Sequence, residues 1–277
     1  MNRIEGSFSG CAAFKIYYRY WLPSTGPKAV LVISHGLADH GQRYMNVVDY
    51  FVPRGYAVYS LDHRGHGLSE GTRGYVERFS DFTNDLDSFV NIVRGNHPGI
   101  KVYLVGHSVG GTIAVANALH HQDKLDGLIL SAAFMSVGES VPAALILLAR
   151  ILSRFFPKLG LYTVDASTIS RDQSVVDAYM ADPLVYRGKI RVRLGMEILG
   201  TIGTLRKQLP GITLPVLIMH GTDDRLSEPA GSDILYEELG ATDKTYRRYD
   251  GFFHEIFNEP DRGQVFSDME TWLDERL

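Results

Sequence analysis

Gly106-His107-Ser108-Val109-Gly110 follows a short apolar run, Val102 to Val105, and precedes a helix-compatible run from Gly111 to Leu119. A serine between glycines, set between a buried strand and a helix, marks a turn tight enough to strain the backbone and lift the hydroxyl clear of the sheet. Side chains at the glycine positions would collide with neighbouring backbone. The chemistry expected of this arrangement is nucleophilic attack by Ser108 Oγ.

A serine hydroxyl attacks only when a base removes its proton, and in strand-to-helix elbows of this kind the chain order is serine, then acid, then histidine. The acid belongs in a loop after a later strand, where His220-Gly221-Thr222-Asp223-Asp224-Arg225-Leu226 offers two carboxylates. One would hold the imidazole in the right tautomer. The other would cap the turn. His220 ends a strand just before these acids, which leaves His254, in Gly251-Phe252-Phe253-His254-Glu255, as the only histidine after them.

Attack on a carbonyl carbon places negative charge on oxygen, which two backbone N–H groups can meet. One is expected from Val109, directly after the nucleophile. The second is expected from the loop Ser34-His35-Gly36-Leu37 that follows the apolar run Ala29 to Ile33, with Leu37 the candidate donor. The turn Asp62-His63-Arg64-Gly65-His66-Gly67 has an H-x-x-H spacing that fits a metal site less well than it fits a polar, glycine-rich turn holding itself by hydrogen bonds. Acyl transfer through serine needs no cofactor and no metal.

These residues need a frame that brings four distant loops together. Short, almost wholly apolar runs (Ala29 to Ile33, Tyr56 to Leu61, Val102 to Val105, Leu128 to Leu130, Val216 to Met219) fit strands covered on both faces, as in a parallel sheet. Between them lie helical patterns, the clearest placing Phe82, Leu86, Phe89, Val90 and Val93 on one face. Helices are also expected near Ala230 to Leu239 and at the carboxyl end, with a strand at Lys244 to Tyr249. Period-two alternation over Ala12 to Trp21 suggests a half-exposed antiparallel strand at the sheet edge. The alternation of strand and helix breaks between about Ser136 and Lys207, where no strand run is seen. The expected fold is therefore an α/β-hydrolase: a mostly parallel central sheet with helices on both faces, residues 1–135 and 208–277 forming the core, and residues 136–207 inserted as a helical cap.

The 277 residues carry 45% hydrophobic and 22% charged side chains, enough to bury one sizeable core. A formal net charge of −4, with no long basic run, argues against nucleic acid as a partner. The single cysteine, Cys11, allows neither an internal disulfide nor a cysteine metal cluster. No apolar run follows the first basic residue, so a cytoplasmic site is expected.

With these residues in place, the chain resembles the monoacylglycerol lipase family. The likeness lies in the Ser34-His35-Gly36 loop with Asp39-His40-Gly41-Gln42-Arg43-Tyr44, the Asp62 to Gly67 turn, the elbow, Ile169-Ser170-Arg171, Tyr179 to Leu184, and Gly221 to Leu226. The resemblance implies Ser108, Asp224 and His254 as the triad, so that Asp224 rather than Asp223 is the acid, with Leu37 and Val109 as oxyanion donors. It implies that Asp39, Arg43 and Tyr179 surround the glycerol end of the substrate. Val109 stands where the family usually has methionine, which leaves a backbone N–H unaffected. Asp39 stands where it usually has glutamate, a shorter reach.

The implied reaction is hydrolysis of a monoacylglycerol or related lipid ester to glycerol and fatty acid through an acyl-serine. Alternatives are a lysophospholipase or general carboxylesterase, and a non-catalytic receptor for a hydrophobic ligand on the same fold. Val141 to Phe156 is too short to span a bilayer, which needs about 20 residues. Its apolar residues, interrupted by Arg150 and Arg154, are expected both to cover the pocket and to touch a membrane or lipid-droplet surface peripherally.

Overall fold

The computed structural model describes residues 3–136 and 143–277. In chain order its elements are β1 (Arg3–Ser9), β2 (Lys15–Trp21), β3 (Ala29–Ser34), α1 (Met45–Phe51), β4 (Tyr56–Leu61), α2 (Ser80–Asn96), β5 (Lys101–His107), α3 (Val109–His121), β6 (Gly127–Ser131), α4 (Ala143–Phe155), β7 (Gly160–Tyr162), α5 (Gln173–Ala181), β8 (Ile190–Arg191), α6 (Val192–Leu205), β9 (Val216–Gly221), α7 (Ala230–Glu238), β10 (Lys244–Tyr249) and α8 (Arg262–Asp274). Eight strands form one sheet in the order β1-β2-β4-β3-β5-β6-β9-β10. β1 and β2 are antiparallel to their neighbours, and the six strands from β4 to β10 run parallel.

The near-continuous apolar runs explain why these strands are central. β3, β4, β6 and β9 are buried at every residue, because helices cover both faces. One apolar layer packs α2, α3 and α6 on the sheet through residues such as Phe89, Ile113 and Ile198. The opposite layer packs α1 and α8 through Phe51, Phe266 and Trp272. All five apolar positions expected on one face of α2 are buried there.

Two expectations are corrected. The strand over Ala12 to Trp21 begins at Lys15 and is not the sheet edge, because β1 pairs outside it from Arg3↔Trp21 to Ser9↔Lys15. β1 is largely exposed, and Gly6 between Ile4 and Phe8 leaves only two apolar side chains on its inner side, a weak strand signal. The stretch between β6 and β9 also contains strands: β7 and β8 form a two-stranded antiparallel sheet of their own. Both are too short to register as periodic runs.

Parallel pairing puts the carboxyl ends of β3, β5, β9 and β10 on one side of the sheet. Ser34 pairs with Gly106, and Gly221 with Tyr249. The loops that leave these ends therefore meet above one edge, where open α/β sheets bind their ligands. Helices α4 to α6 lie between β6 and β9 in sequence. Their segment is tied back by Glu255 N–H to Ile169 O (2.7 Å), Tyr186 N–H to Ala38 O (3.1 Å) and His40 Nε2 to Asp182 Oδ2 (2.9 Å). Val141 and Pro142, at the start of the apolar stretch, lie outside the described residues.

Candidate active site

Ser108 stands between β5 and α3 with φ 54° and ψ −126°, a conformation a non-glycine residue rarely adopts. Its neighbours explain how the strain is held. A Cβ on Gly110 would lie 2.1 Å from the Ser34 carbonyl oxygen, and one on Gly106 2.7 Å from that of Gly110. Ser108 N–H donates to Ser131 O at 3.0 Å, and its own carbonyl accepts from Gly111 and Phe134. The backbone is thus bonded on both sides and the side chain is left to the cavity.

That cavity, about 450 Å³, is lined by Leu37, Asp39, Ser108, Val109, Tyr179, His254 and Glu255 and by apolar residues including Ile146, Leu161 and Leu199 from the inserted segment. Val109 is the first residue of α3, so its N–H has no intrahelical carbonyl to reach. Leu37 follows Gly36, whose N–H is held by Tyr44 Oη at 3.3 Å, and among the described residues the Leu37 amide donates to no carbonyl. Among the described residues, the amides of Leu37 and Val109 therefore have no backbone carbonyl partner.

His254 Nδ1 lies 2.7 Å from Asp224 Oδ2. A carboxylate only accepts, so Nδ1 carries the proton and Nε2 keeps its lone pair for a hydroxyl. Asp223 is exposed, and its carboxylate faces Thr222. The loops bearing Asp224 and His254 approach closely because β9 ends in Gly221, where a Cβ would lie 2.3 Å from Phe252 O. Burial would raise the Asp224 carboxyl, but His254 and His220 outweigh it and hold it well below the ordinary range. Burial would lower His254, but Asp224 outweighs it and raises the imidazole. His107, with its ring centroid 4.7 Å from that of His254, is pushed down to about 3 by burial and by the His254 charge, so it stays neutral while His254 titrates.

Asp39, Arg43 and Tyr179 come together, but not on one surface. Arg43 Nη1 donates to Asp39 Oδ1 at 3.1 Å, and its guanidinium lies 4.7 Å from the Tyr179 ring centroid. Asp39 and Tyr179 line the cavity, whereas Arg43 borders a separate surface hollow with His40, Gln42 and Asp182. The histidines of the H-x-x-H turn serve the loops: His63 Nε2 meets Ser34 Oγ at 2.9 Å, and His66 Nδ1 meets Arg64 O at 3.0 Å. Asp62 is buried against Arg19 (2.9 and 3.0 Å) and accepts from Gly41 and Leu68, which ties this turn to the Asp39 loop.

A model of the family described as serine aminopeptidase, S33, matches residues 25–261. A monoacylglycerol lipase of Mycolicibacterium smegmatis is 35% identical over 98% of this chain and 97% of its own. The chain belongs to the monoacylglycerol lipase family. A monoglyceride lipase of Homo sapiens is 34% identical over 94% of this chain and 87% of its own. The crystal structure of a Paleococcus ferrophilus monoacylglycerol lipase superposes with a TM-score of 0.82 at 30% identity, covering 100% of both chains.

In this member of the monoacylglycerol lipase family, two residues at the site escape sequence reasoning. His220 Nε2 reaches Asp224 Oδ2 and Ser227 O, at 3.0 and 2.9 Å. Its place four residues before the acid is the one available signal. Glu255 takes Arg43 in a two-point grip, Nη1 to Oε1 at 2.7 Å and Nη2 to Oε2 at 2.8 Å. Adjacency to His254 hints at Glu255, but its partner is 212 residues away in sequence.

Proposed function

We propose that this chain hydrolyses the ester bond of monoacylglycerols, with Ser108 as nucleophile, His254 as base and Asp224 as its orienting acid. The observation that carries this reading is the Asp224–His254 pair at 2.7 Å opening on the cavity that holds the strained Ser108. His254 Nε2 takes the Ser108 proton as Oγ attacks the carbonyl carbon, and the oxyanion meets the Leu37 and Val109 amides. As the carbon–oxygen bond to glycerol breaks, His254 returns the proton to the leaving oxygen. Water, deprotonated by the same imidazole, then opens the acyl-serine and frees the fatty acid.

Residues 136–207 act in this reading as a cap over the core formed by 1–135 and 208–277, and the cap supplies the acyl-chain wall. Its outer face is the proposed contact with a lipid surface. Leu147 is 58% exposed and Phe155 69%, with Leu148, Ile151 and Phe156 also outward and Arg150 and Arg154 among them. Apolar side chains interleaved with cations suit a peripheral, headgroup-depth contact. Among the described residues no helix is long and apolar enough to cross a membrane.

The test is to assay the purified protein against mono-, di- and triacylglycerols and lysophospholipids of one chain length. A preference for the monoacylglycerol supports the reading, and equal turnover of all classes overturns it. Burst release from a chromogenic ester separates an enzyme from a ligand receptor.

A further inference from the structure

Three charged residues, Asp39, Arg43 and Glu255, meet at the cavity wall, and they are unequally presented to it. Asp39 and Glu255 line the wall, while Arg43 does not. The guanidinium is consumed behind them: Nη1 donates to both carboxylates, Nη2 to Glu255, and Tyr179 covers one face. Two carboxylates against one guanidinium leave a net charge of −1, and the side facing substrate is the anionic side. Asn258 Nδ2 also donates to Glu255 Oε2 at 2.8 Å, whereas among the described residues Asp39 Oδ2 has no partner and is left to the cavity. Burial alone would raise the Asp39 carboxyl, but Arg43, His35 and His40 outweigh it, so it stays ionised.

We propose that Asp39 and Glu255 form an anion-excluding wall that admits a polyol ester and rejects the same ester bearing a phosphate. The inference rests on the monoacylglycerol reading and sharpens it. An ionised carboxylate accepts hydrogen bonds and cannot donate them, so a free glycerol hydroxyl fits and a phosphate oxygen does not. A phosphate monoester also brings about −1.5 to −2 of charge against two carboxylates, beside a guanidinium whose donors are already taken by them. Burying a charge without a partner is costly enough to decide between otherwise identical substrates. Glu255 thereby becomes a specificity-determining residue, with Arg43 holding both carboxylates in place rather than gripping the head group.

The test compares kcat/KM for decanoylglycerol and for decanoylglycerol phosphate, both kept monomeric, in the parent protein and in Glu255→Gln and Asp39→Asn. The parent is expected to favour the unphosphorylated ester by about 100-fold or more. Each variant is expected to narrow that ratio by about 10-fold, because one facing charge is removed. A parent ratio near one overturns the proposal whatever the variants do. A ratio unchanged in folded variants overturns it as well, and if one variant misfolds the other carries the comparison. Absence of any ester turnover in the parent would instead sink the hydrolase reading, and this inference with it.

Discussion

His220 Nε2 lies 3.0 Å from Asp224 Oδ2, the same oxygen that His254 Nδ1 reaches at 2.7 Å. Both partners of that nitrogen, Asp224 and Ser227 O, are acceptors, so His220 carries its proton on Nε2 and takes the Ser232 hydroxyl on Nδ1 at 2.7 Å. The other oxygen, Asp224 Oδ1, accepts Leu226 and Ser227 N–H at 2.8 and 2.9 Å. The carboxylate is held at both oxygens, and one direction is left for His254. This geometry fits His220 as a positioning residue for Asp224 in the proposed mechanism.

His220→Phe should keep a ring of similar shape while stripping these bonds. Loss of buried partners is expected to cost about 2 kcal/mol of stability and about 10-fold in kcat, with KM hardly moved. His220→Gln, which retains a donor, should recover part of kcat. Denaturant unfolding and steady-state kinetics on a soluble ester measure both. A fall in stability with unchanged kcat would reduce His220 to a packing residue.

Ser108→Ala should lower kcat on the order of 10⁶-fold, leaving the residual rate of binding and oxyanion donors. Ser108→Gly should be equally inactive yet more stable than the alanine variant by about 1 kcal/mol, since glycine tolerates φ 54° without strain. Retention of more than a small fraction of activity in either would remove Ser108 from its role.

The two neighbouring acids should behave differently. Asp224→Asn is expected to cost about 10⁴-fold in kcat, because an amide can impose the wrong tautomer on His254. Asp223→Asn, at an exposed carboxylate with no histidine beside it, should cost less than about twofold. Equal losses with folding intact would contradict the assignment.

In the proposed role as base His254 acts only when neutral, so activity should rise with pH through its pKa. Asp224 raises that pKa above the ordinary 6.5, and the acid limb of kcat/KM should therefore lie above 6.5. In Asp224→Asn burial acts with its main opponent gone, and the His254 titration should move to lower pH. NMR of the imidazole protons in parent and variant reads the shift. A midpoint that stays in place would show that Asp224 does not face the imidazole in solution.

Leu147 and Ile146 adjoin in sequence yet occupy different faces of α4, Leu147 outward and Ile146 on the cavity. Leu147→Ser with Ile151→Ser removes outward apolar area worth about 25 cal/mol per Å², and vesicle partition should fall by about 10-fold. Turnover of a soluble short-chain ester should hardly change. Ile146→Ser should instead raise KM for long acyl chains without affecting partition. Co-sedimentation with phosphatidylcholine–phosphatidylglycerol vesicles reads the first effect, and parental binding by the double variant would end the surface-contact role.

The sequence by itself determined the central strands, because runs such as Val102 to Val105 and Val216 to Met219 are apolar enough to lie between two helical layers. It marked the elbow, since a glycine-flanked serine between strand and helix has few other uses, and chain order alone narrowed the candidate base to His254. The residue spacing left the acid open between Asp223 and Asp224. Only the tertiary structure placed Asp224 at 2.7 Å from the imidazole and turned Asp223 to solvent. It also decided what periodicity could not carry: the exposed strand β1, the short pair β7 and β8, and which side of α4 is exposed. Above all it decided the partners of His220 and Glu255. A hydrogen bond such as that of Arg43 to Glu255 joins loops at opposite ends of the chain and leaves no local signature, because it exists only once parallel strands have brought those loops to one edge.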